Sequence, residues 1–163
     1  FSKNKNFFDE FNVPAWEESI SVTLNGTYYA CISVIPHMMK KKNGIIINTS
    51  SHYGVVAPTH TIYKNEDFNC PLSYTVAKHG IIGLTKWFAT KYSKDGIRVN
   101  SISPGGVKNK QPKSFIKKYS TINPMGRMAN KNEMNGAIHY LISDESKYVI
   151  GQNIIIDGGS SVW

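Results

Sequence analysis

Two side chains near the middle of the chain have the types and spacing needed for proton transfer. Tyr74 and Lys78 are four residues apart, and on a helix this spacing places both side chains on the same side. A phenol with a pKa of about 10 is a poor acid–base catalyst at neutral pH, but a nearby ammonium group favours the phenolate. A serine hydroxyl that binds a substrate carbonyl would complete the machinery for interconverting an alcohol and a ketone, with a hydride passing to or from a cofactor.

The position of this pair in the chain matters more than its spacing. The chain contains nine tyrosines and many lysines, so a pair with this spacing is expected by chance. Tyr74 and Lys78, however, follow one predicted strand at residues 44–49 and precede another at residues 97–103. Ligands of open parallel α/β sheets bind beyond the carboxyl ends of the strands, so the residues after each strand are expected beside the pair. These residues are Ser50, Ser51, Pro104, Gly105 and Gly106.

The elements that must position these residues follow from the pattern of apolar and turn residues. We predict helices at about residues 16–42, 72–94, 112–120 and 133–143, and strands at residues 44–49, 97–103 and 153–157. Helices that alternate with short strands imply right-handed crossovers and a parallel sheet, and therefore an α/β fold. A sheet of three strands is thin, and the sequence opens on Phe1, so we expect the front part of the domain to lie outside these residues.

Five segments, in this order, resemble the classical short-chain dehydrogenase/reductase family. They are G-I-I-I-N-T-S-S at residues 44–51, Y-T-V-A-K at 74–78, I-R-V-N-S-I-S-P-G at 97–105, P-M-G-R-M at 124–128 and a G-Q to D-G-G segment at 151–159. The chain is similar to the C-terminal two-thirds of such a protein, with residues 1–163 as part of a single domain. The resemblance implies a Rossmann-like, doubly wound parallel sheet whose N-terminal strands and Gly-rich phosphate-binding turn are missing from this chain. It also implies NAD or NADP as cofactor and a small-molecule substrate.

The resemblance further implies roles for individual residues. Tyr74 would be the catalytic acid/base, and Lys78 would lower the pKa of Tyr74 and hold the nicotinamide ribose. Ser51, rather than Ser50, would orient the substrate, because Ser51 directly precedes the short stretch that ends at Gly54. The other residues implied at the nicotinamide are Pro104, Gly105 and Val107. Further candidates for substrate contact are His52, Gly106 and Lys108.

Three features depart from the common pattern of the family. The family usually has an asparagine in the first long helix that supports a water-mediated proton relay, and Thr23 stands at this position. Asn25 lies about 200° further round an α-helix and would not replace it, so the relay would depend on the threonine hydroxyl. The segment between Ser51 and Tyr74 is long, as in a bacterial sub-branch linked to flagellin and surface-glycan sugar biosynthesis. The residue that selects NAD or NADP is expected in the missing front part.

These features leave several functions open. The leading hypothesis is an NAD(P)-dependent oxidoreductase that acts on a hydroxyl or ketone, with a sugar or nucleotide sugar as candidate substrate. A 3-oxoacyl-carrier-protein-type or other small carbonyl reductase is the alternative within this class. A truncated, non-catalytic fragment that acts only through its helical interface is the alternative from another class. The second predicted helix is apolar almost all round, which suits either burial under a loop or the homodimer or homotetramer that the resemblance implies.

The net charge of +8 arises mainly between residues 81 and 120. Because the chain has only two arginines, Arg98 and Arg127, and no groove-reading motif, we do not predict nucleic-acid binding. Five lysines after the Pro-Gly segment would suit an anionic substrate if they face inward, although a solvated basic loop is the commoner outcome. They are Lys108, Lys110, Lys113, Lys117 and Lys118.

Composition disfavours several other classes. No apolar run approaches the roughly 18 residues that a membrane span needs, and no secretory signal opens the chain. Cys31 and Cys70 are far apart without a C-x-x-C pattern, which fits a reduced, cytoplasmic protein. The five histidines show no metal-ligand spacing, so no metal is predicted.

Overall fold

Three segments rich in β-branched residues form parallel strands in the structure, a computed structural model that describes residues 12–163. The strands β1 (Gly44–Thr49), β2 (Ile97–Pro104) and β3 (Asn153–Ile156) pair in the order β1-β2-β3. Gly44 lies opposite Ile97, and Ser103 lies opposite Ile155. β2 is buried along most of its length, as expected of a central parallel strand. The predicted parallel α/β sheet is confirmed, whereas Phe1 lies outside the described residues.

The strands are connected and covered by α-helices. Within residues 12–163 these are α1 (Val13–Ile20), α2 (Gly26–Lys41), α3 (Leu72–Tyr92), α4 (Lys113–Thr121) and α5 (Asn135–Ile142). α1 begins at a side-chain cap, because the Asn12 side-chain oxygen accepts from the Ala15 amide at 3.0 Å. α2 ends at Lys42, which adopts the left-handed conformation common at helix ends.

The helix predicted for residues 16–42 contains an interruption that the sequence did not indicate. α1 continues into α2 through a π-helical turn at Ser21–Asn25. In this turn the Thr23 carbonyl accepts from the Thr27 hydroxyl at 2.8 Å. The predicted angle of about 200° between Thr23 and Asn25 applies only to an unbroken α-helix. The wider π-helical turn changes the angle between these two residues.

A hydrophobic core fills the space between α2, α3 and the first two strands. Its buried members are Cys31, Ile35, Phe88, Ala89, Ile97 and Val99. The Asn48 side-chain amide donates to the Thr85 hydroxyl at 2.9 Å, and both side chains are buried. Because a buried polar group without a partner is costly, this bond fixes the carboxyl end of β1 against one face of α3.

A second cluster joins α4 to residues 59–68, a segment that contains a 3-10 turn at His60–Tyr63. Its buried members are Ile62, Phe115, Tyr119 and Met128. The Glu66 carboxylate accepts from the Lys118 ammonium at 2.7 Å and from the Ser114 hydroxyl at 3.1 Å. Apolar packing and charge-assisted hydrogen bonds therefore hold α4 against the long segment that precedes α3.

The outer side of α3 remains exposed within the described part of the chain. Trp87 is 58% exposed and Val76 is 40% exposed, so no loop covers this side there. None of the helices in residues 12–163 is both long and apolar enough to cross a bilayer.

Candidate active site

The end of β1 places two serines that have different partners. The Ser50 hydroxyl donates to the Lys78 carbonyl at 2.7 Å and so fixes the turn after β1 to α3. The Ser51 oxygen accepts from the Tyr53 amide at 3.2 Å, which starts a short 3-10 turn at His52–Gly54. A Cβ at Gly54 would lie 2.8 Å from the Lys78 carbonyl oxygen, so this close approach requires glycine. The bond to Lys78 occupies the Ser50 hydroxyl, whereas the Ser51 side chain lies near enough to Tyr74 to lower the pKa of that phenol.

Tyr74 lies in the first turn of α3 and is half-buried. Burial raises the pKa of Tyr74, and the hydrogen bond with the Ser51 side chain opposes this effect. Lys78 lies one turn further along, with its ammonium 5.6 Å from the centroid of the Tyr74 ring. The same ammonium donates to the Thr49 carbonyl at 2.9 Å. Burial lowers the pKa of Lys78, so burial favours the neutral form of both side chains.

Backbone hydrogen bonds fix both sides of the turn after β2. The Gly105 amide donates to the Ile156 carbonyl at 2.9 Å. The Ala129 amide donates to the Gly106 carbonyl at 2.8 Å, and the Lys108 amide donates to the Ala129 carbonyl at 2.8 Å. Residues 105–108 are thus held by backbone hydrogen bonds beside the end of β2.

His52 lies between the turns that follow β1 and β2. Its ring centroid is 4.0 Å from that of Tyr53, and it meets the Tyr119 ring edge-on at 6.5 Å. Burial lowers the pKa of His52, and the Pro104 backbone and the Asp157 carboxylate oppose this effect less strongly. His52 is buried, and its Nδ1 has no hydrogen-bond partner within residues 12–163.

The basic segment after Val107 faces solvent for most of its length. Lys118 is the exception, because its ammonium is committed to Glu66. The exposed lysines are Lys108, Lys110, Lys113 and Lys117. Of these, Lys108 is the one that belongs to the loop at residues 105–108.

Sequence reasoning missed Tyr119 and Glu66. Tyr119 is 3% exposed, and its hydroxyl oxygen accepts from the Gly106 amide at 2.6 Å. The spacing of Phe115 and Tyr119 marks the buried side of a helix, but it carries no information on a contact with a turn 13 residues earlier. Within the described residues no group of three or more His, Cys, Asp or Glu side chains is arranged to hold a metal ion.

The chain is similar to proteins of known family over nearly its whole length. A family model described as enoyl-(acyl carrier protein) reductase matches residues 1–161. The post-translational flagellin modification protein A of Campylobacter coli is 35% identical over 142 residues, which are 87% of this chain and 56% of that protein. The 3-oxoacyl-[acyl-carrier-protein] reductase FabG of Thermotoga maritima is 36% identical over 148 residues, covering 88% of this chain and 56% of that protein.

A solved structure gives the same result. The short chain dehydrogenase of Leptospira borgpetersenii with bound NAD+ matches with a TM-score of 0.84 and 39% identity, over 90% of this chain and 56% of that chain. The present chain spans about half the length of the curated relatives it matches. The order of strands and helices, the five sequence segments and the match to residues 1–161 lead to one conclusion: this chain belongs to the short-chain dehydrogenase/reductase family.

Proposed function

We propose that the whole protein is an NAD(P)-dependent oxidoreductase that interconverts a hydroxyl and a ketone. The observation that carries the proposal is the position of the Lys78 ammonium, which lies 5.6 Å from the centroid of the Tyr74 ring and donates to the Thr49 carbonyl at the end of β1, two residues before Ser51. One hydroxyl that binds a carbonyl oxygen and one phenol that exchanges a proton with it are the groups that this reaction requires.

A nicotinamide dinucleotide fits the side chains and backbone around this pair. The Lys78 ammonium has three N–H groups and uses one of them on the Thr49 carbonyl, so it can also hold the hydroxyls of a ribose. We assign Pro104, Gly105 and Val107 to the wall of the nicotinamide site, because Pro104 ends β2 and the other two belong to the hydrogen-bonded loop at residues 105–108. The nicotinamide, when bound, supplies or accepts the hydride.

Proton transfer then falls to the residues of this chain. In the direction of reduction, the Ser51 hydroxyl donates a hydrogen bond to the substrate carbonyl oxygen, and Tyr74 delivers its proton to that oxygen as the carbon gains a hydride. In the direction of oxidation, the Tyr74 phenolate takes the hydroxyl proton as the carbon loses a hydride. The positive charge of Lys78 favours the phenolate and so opposes the effect of burial on the Tyr74 pKa.

We propose a sugar or nucleotide sugar as substrate. The similarity to a flagellin modification protein supports this choice, as does the long segment between Ser51 and Tyr74. We assign His52, Gly106 and Lys108 to the substrate side, and the exposed Lys108 suits an anionic group. The Thermotoga maritima relative supports a second candidate, a 3-oxoacyl thioester or another small carbonyl compound.

We also propose a homodimer or homotetramer that works in the cytoplasm. Support for the assembly comes from the exposed apolar side chains of the first three helices, among them Tyr29 and Trp87. Support for the compartment comes from Cys31 and Cys70, which are free thiols. A chain that acts only through this helical surface, without catalysis, is the competing hypothesis.

The test uses the purified whole protein with NADH and NADPH, and with NAD+ and NADP+, against a panel of substrates. The panel contains keto and hydroxy sugars, nucleotide sugars and 3-oxoacyl thioesters. Cofactor-dependent turnover that disappears in Tyr74→Phe supports the oxidoreductase, and the preferred compound decides between the two substrate classes. Binding of neither nicotinamide dinucleotide would contradict the proposal and favour the non-catalytic hypothesis.

A further inference from the structure

One buried side chain outside the Ser51, Tyr74 and Lys78 group contacts the loop after β2. The Tyr119 hydroxyl accepts from the Gly106 amide at 2.6 Å, and Tyr119 is 3% exposed. This hydroxyl belongs to α4, so the contact joins a helix to a loop that lies 13 residues earlier in the chain. Within residues 12–163 the Gln111 side-chain amide also bonds to this loop, donating to the Val107 carbonyl at 2.9 Å, but Tyr119 is the buried partner of the Gly106 amide.

The glycines of this loop are matched to the Tyr119 ring. A Cβ at Gly106 would lie 2.7 Å from Tyr119 Cζ. A Cβ at Gly105 would lie 3.0 Å from the Tyr119 hydroxyl oxygen, but its nearest neighbour would be Asp157 Cα at 2.7 Å. Either residue would have to move if it carried a side chain. The ring and the loop therefore fit closely, and the position of one determines the position of the other.

Tyr119 also contacts the other strand end. The edge of its ring faces the His52 ring at a centroid distance of 6.5 Å, and His52 directly follows Ser51. Tyr119 also packs with Phe115, at a centroid distance of 6.4 Å, within the cluster that holds α4. The Tyr119 ring of α4 thus contacts both the turn after β1 and the loop after β2.

We infer that Tyr119 is a positioning residue that sets where residues 104–107 present their backbone to the cofactor and substrate. This inference rests on the proposed function, since it concerns the loop assigned to the nicotinamide. Tyr119 acts through Gly106 and does not itself take part in the proton transfer. Loss of its hydroxyl leaves the Gly106 amide without this acceptor, so the loop gains freedom while the ring and the cluster around it remain.

The experiment compares Tyr119→Phe with Phe115→Leu in the whole protein. Phe115→Leu is the matched control, because it loosens the same buried cluster from the same helix without removing the bond to Gly106. Three quantities are measured: the exchange rate of the Gly106 amide by hydrogen–deuterium exchange, the dissociation constants of the nicotinamide dinucleotides by fluorescence titration, and the separate values of kcat and KM.

In Tyr119→Phe we expect Gly106 exchange and the cofactor dissociation constant each to rise roughly tenfold, the size expected for loss of a single hydrogen bond. The KM of the cofactor rises with its dissociation constant, whereas the melting temperature stays close to that of Phe115→Leu or above it.

Unchanged exchange and unchanged cofactor affinity in Tyr119→Phe would overturn the inference and leave the proposed function standing. Equal losses of cofactor affinity in both variants would also overturn it, since they would assign the effect to packing of α4. A wild-type protein that binds no nicotinamide dinucleotide would refute the proposed function and the inference with it.

Discussion

The Lys78 ammonium lies 5.6 Å from the centroid of the Tyr74 ring while it donates to the Thr49 carbonyl at 2.9 Å. This arrangement joins the last residue of β1 to the helix that carries the phenol. Burial raises the pKa of Tyr74 and lowers that of Lys78. The charge of Lys78 and the Ser51 hydrogen bond must therefore offset burial before Tyr74 can act as a base.

The first prediction concerns the pH dependence of alcohol oxidation. The hydrogen bond with Ser51 lowers the pKa of Tyr74, so its removal in Ser51→Ala raises that pKa further. Because the proposed base is the phenolate, the rising limb of kcat/KM against pH should move to higher pH and the overall rate should fall. Ser51→Thr keeps a hydroxyl and should retain the wild-type limb. A limb that stays in place in Ser51→Ala, or moves to lower pH, would show that Ser51 does not act on Tyr74.

A second prediction concerns the Glu66 carboxylate, which holds α4 through Lys118 and Ser114. Glu66→Gln removes the charge from these bonds, so amide exchange in α4 should become faster. Because Tyr119 of α4 bonds to the loop that we assign to cofactor and substrate, the substrate KM should also rise severalfold with little change in kcat. Asp144→Asn is the matched control, because Asp144 forms an ion pair with Lys147 at 2.9 Å in which both side chains are highly exposed. Equal behaviour of the two variants would argue against a role for Glu66 at the site.

A third prediction concerns acid stability. The hydrogen bonds from Arg127 and the Asn130 backbone lower the pKa of Glu133 from 4.5 to about 2. A carboxyl group with a lowered pKa in the folded state contributes stability above its unfolded pKa and loses it as the pH falls through the folded value. The contribution of Glu133 should therefore be complete above pH 4.5 and disappear between pH 4.5 and about 2. Glu133→Gln should flatten this part of the curve of unfolding free energy against pH. An unchanged slope would mean that the ion pair has no effect in solution.

A fourth prediction compares two glycines. A Cβ at Gly54 would meet the Lys78 carbonyl oxygen at 2.8 Å, so Gly54→Ala should destabilise the fold by about 1–3 kcal/mol and displace Ser51. Gly83, in the middle of α3, has open space at the Cβ position, and Gly83→Ala should stabilise the fold by about 0.5–1 kcal/mol. Chemical denaturation measures both values. Similar effects of the two substitutions would contradict the close packing described at the turn after β1.

Local sequence patterns were sufficient to locate the strands and most helix limits. β1 begins and ends where the β-branched run begins and ends, and β2 extends only one residue beyond its predicted end. The first and last helices differ more. α1 begins at Val13 rather than near residue 16, and α5 begins at Asn135 because Asn130 and Glu133 form a capping box that starts a 3-10 turn before it. The position of Tyr74 and Lys78 beside the strand ends also followed from order along the chain, since parallel strands end at one edge.

Features that depend on contacts distant in sequence were not predictable. No residue in Ser21–Asn25 signals a π-helical turn, and the turn forms where Leu24 packs against Gly80 of α3. The contact of Tyr119 with Gly106 likewise requires knowledge of how α4 folds back on the sheet. Ser50 and Ser51 are neighbours of one type, and only the folded chain gives them different hydrogen-bond partners.

In the proposed reaction, Tyr74 exchanges the proton that accompanies hydride transfer. Tyr74→Phe removes one hydroxyl and keeps the ring, so the most direct measurement is cofactor-dependent turnover of this variant in the whole protein, with the nicotinamide dissociation constant measured on the same sample. We predict that turnover falls by at least about a hundredfold, the lower end of what general acid–base catalysis contributes, while the dissociation constant stays within a factor of about two. Turnover close to that of the wild type would contradict the role assigned to Tyr74.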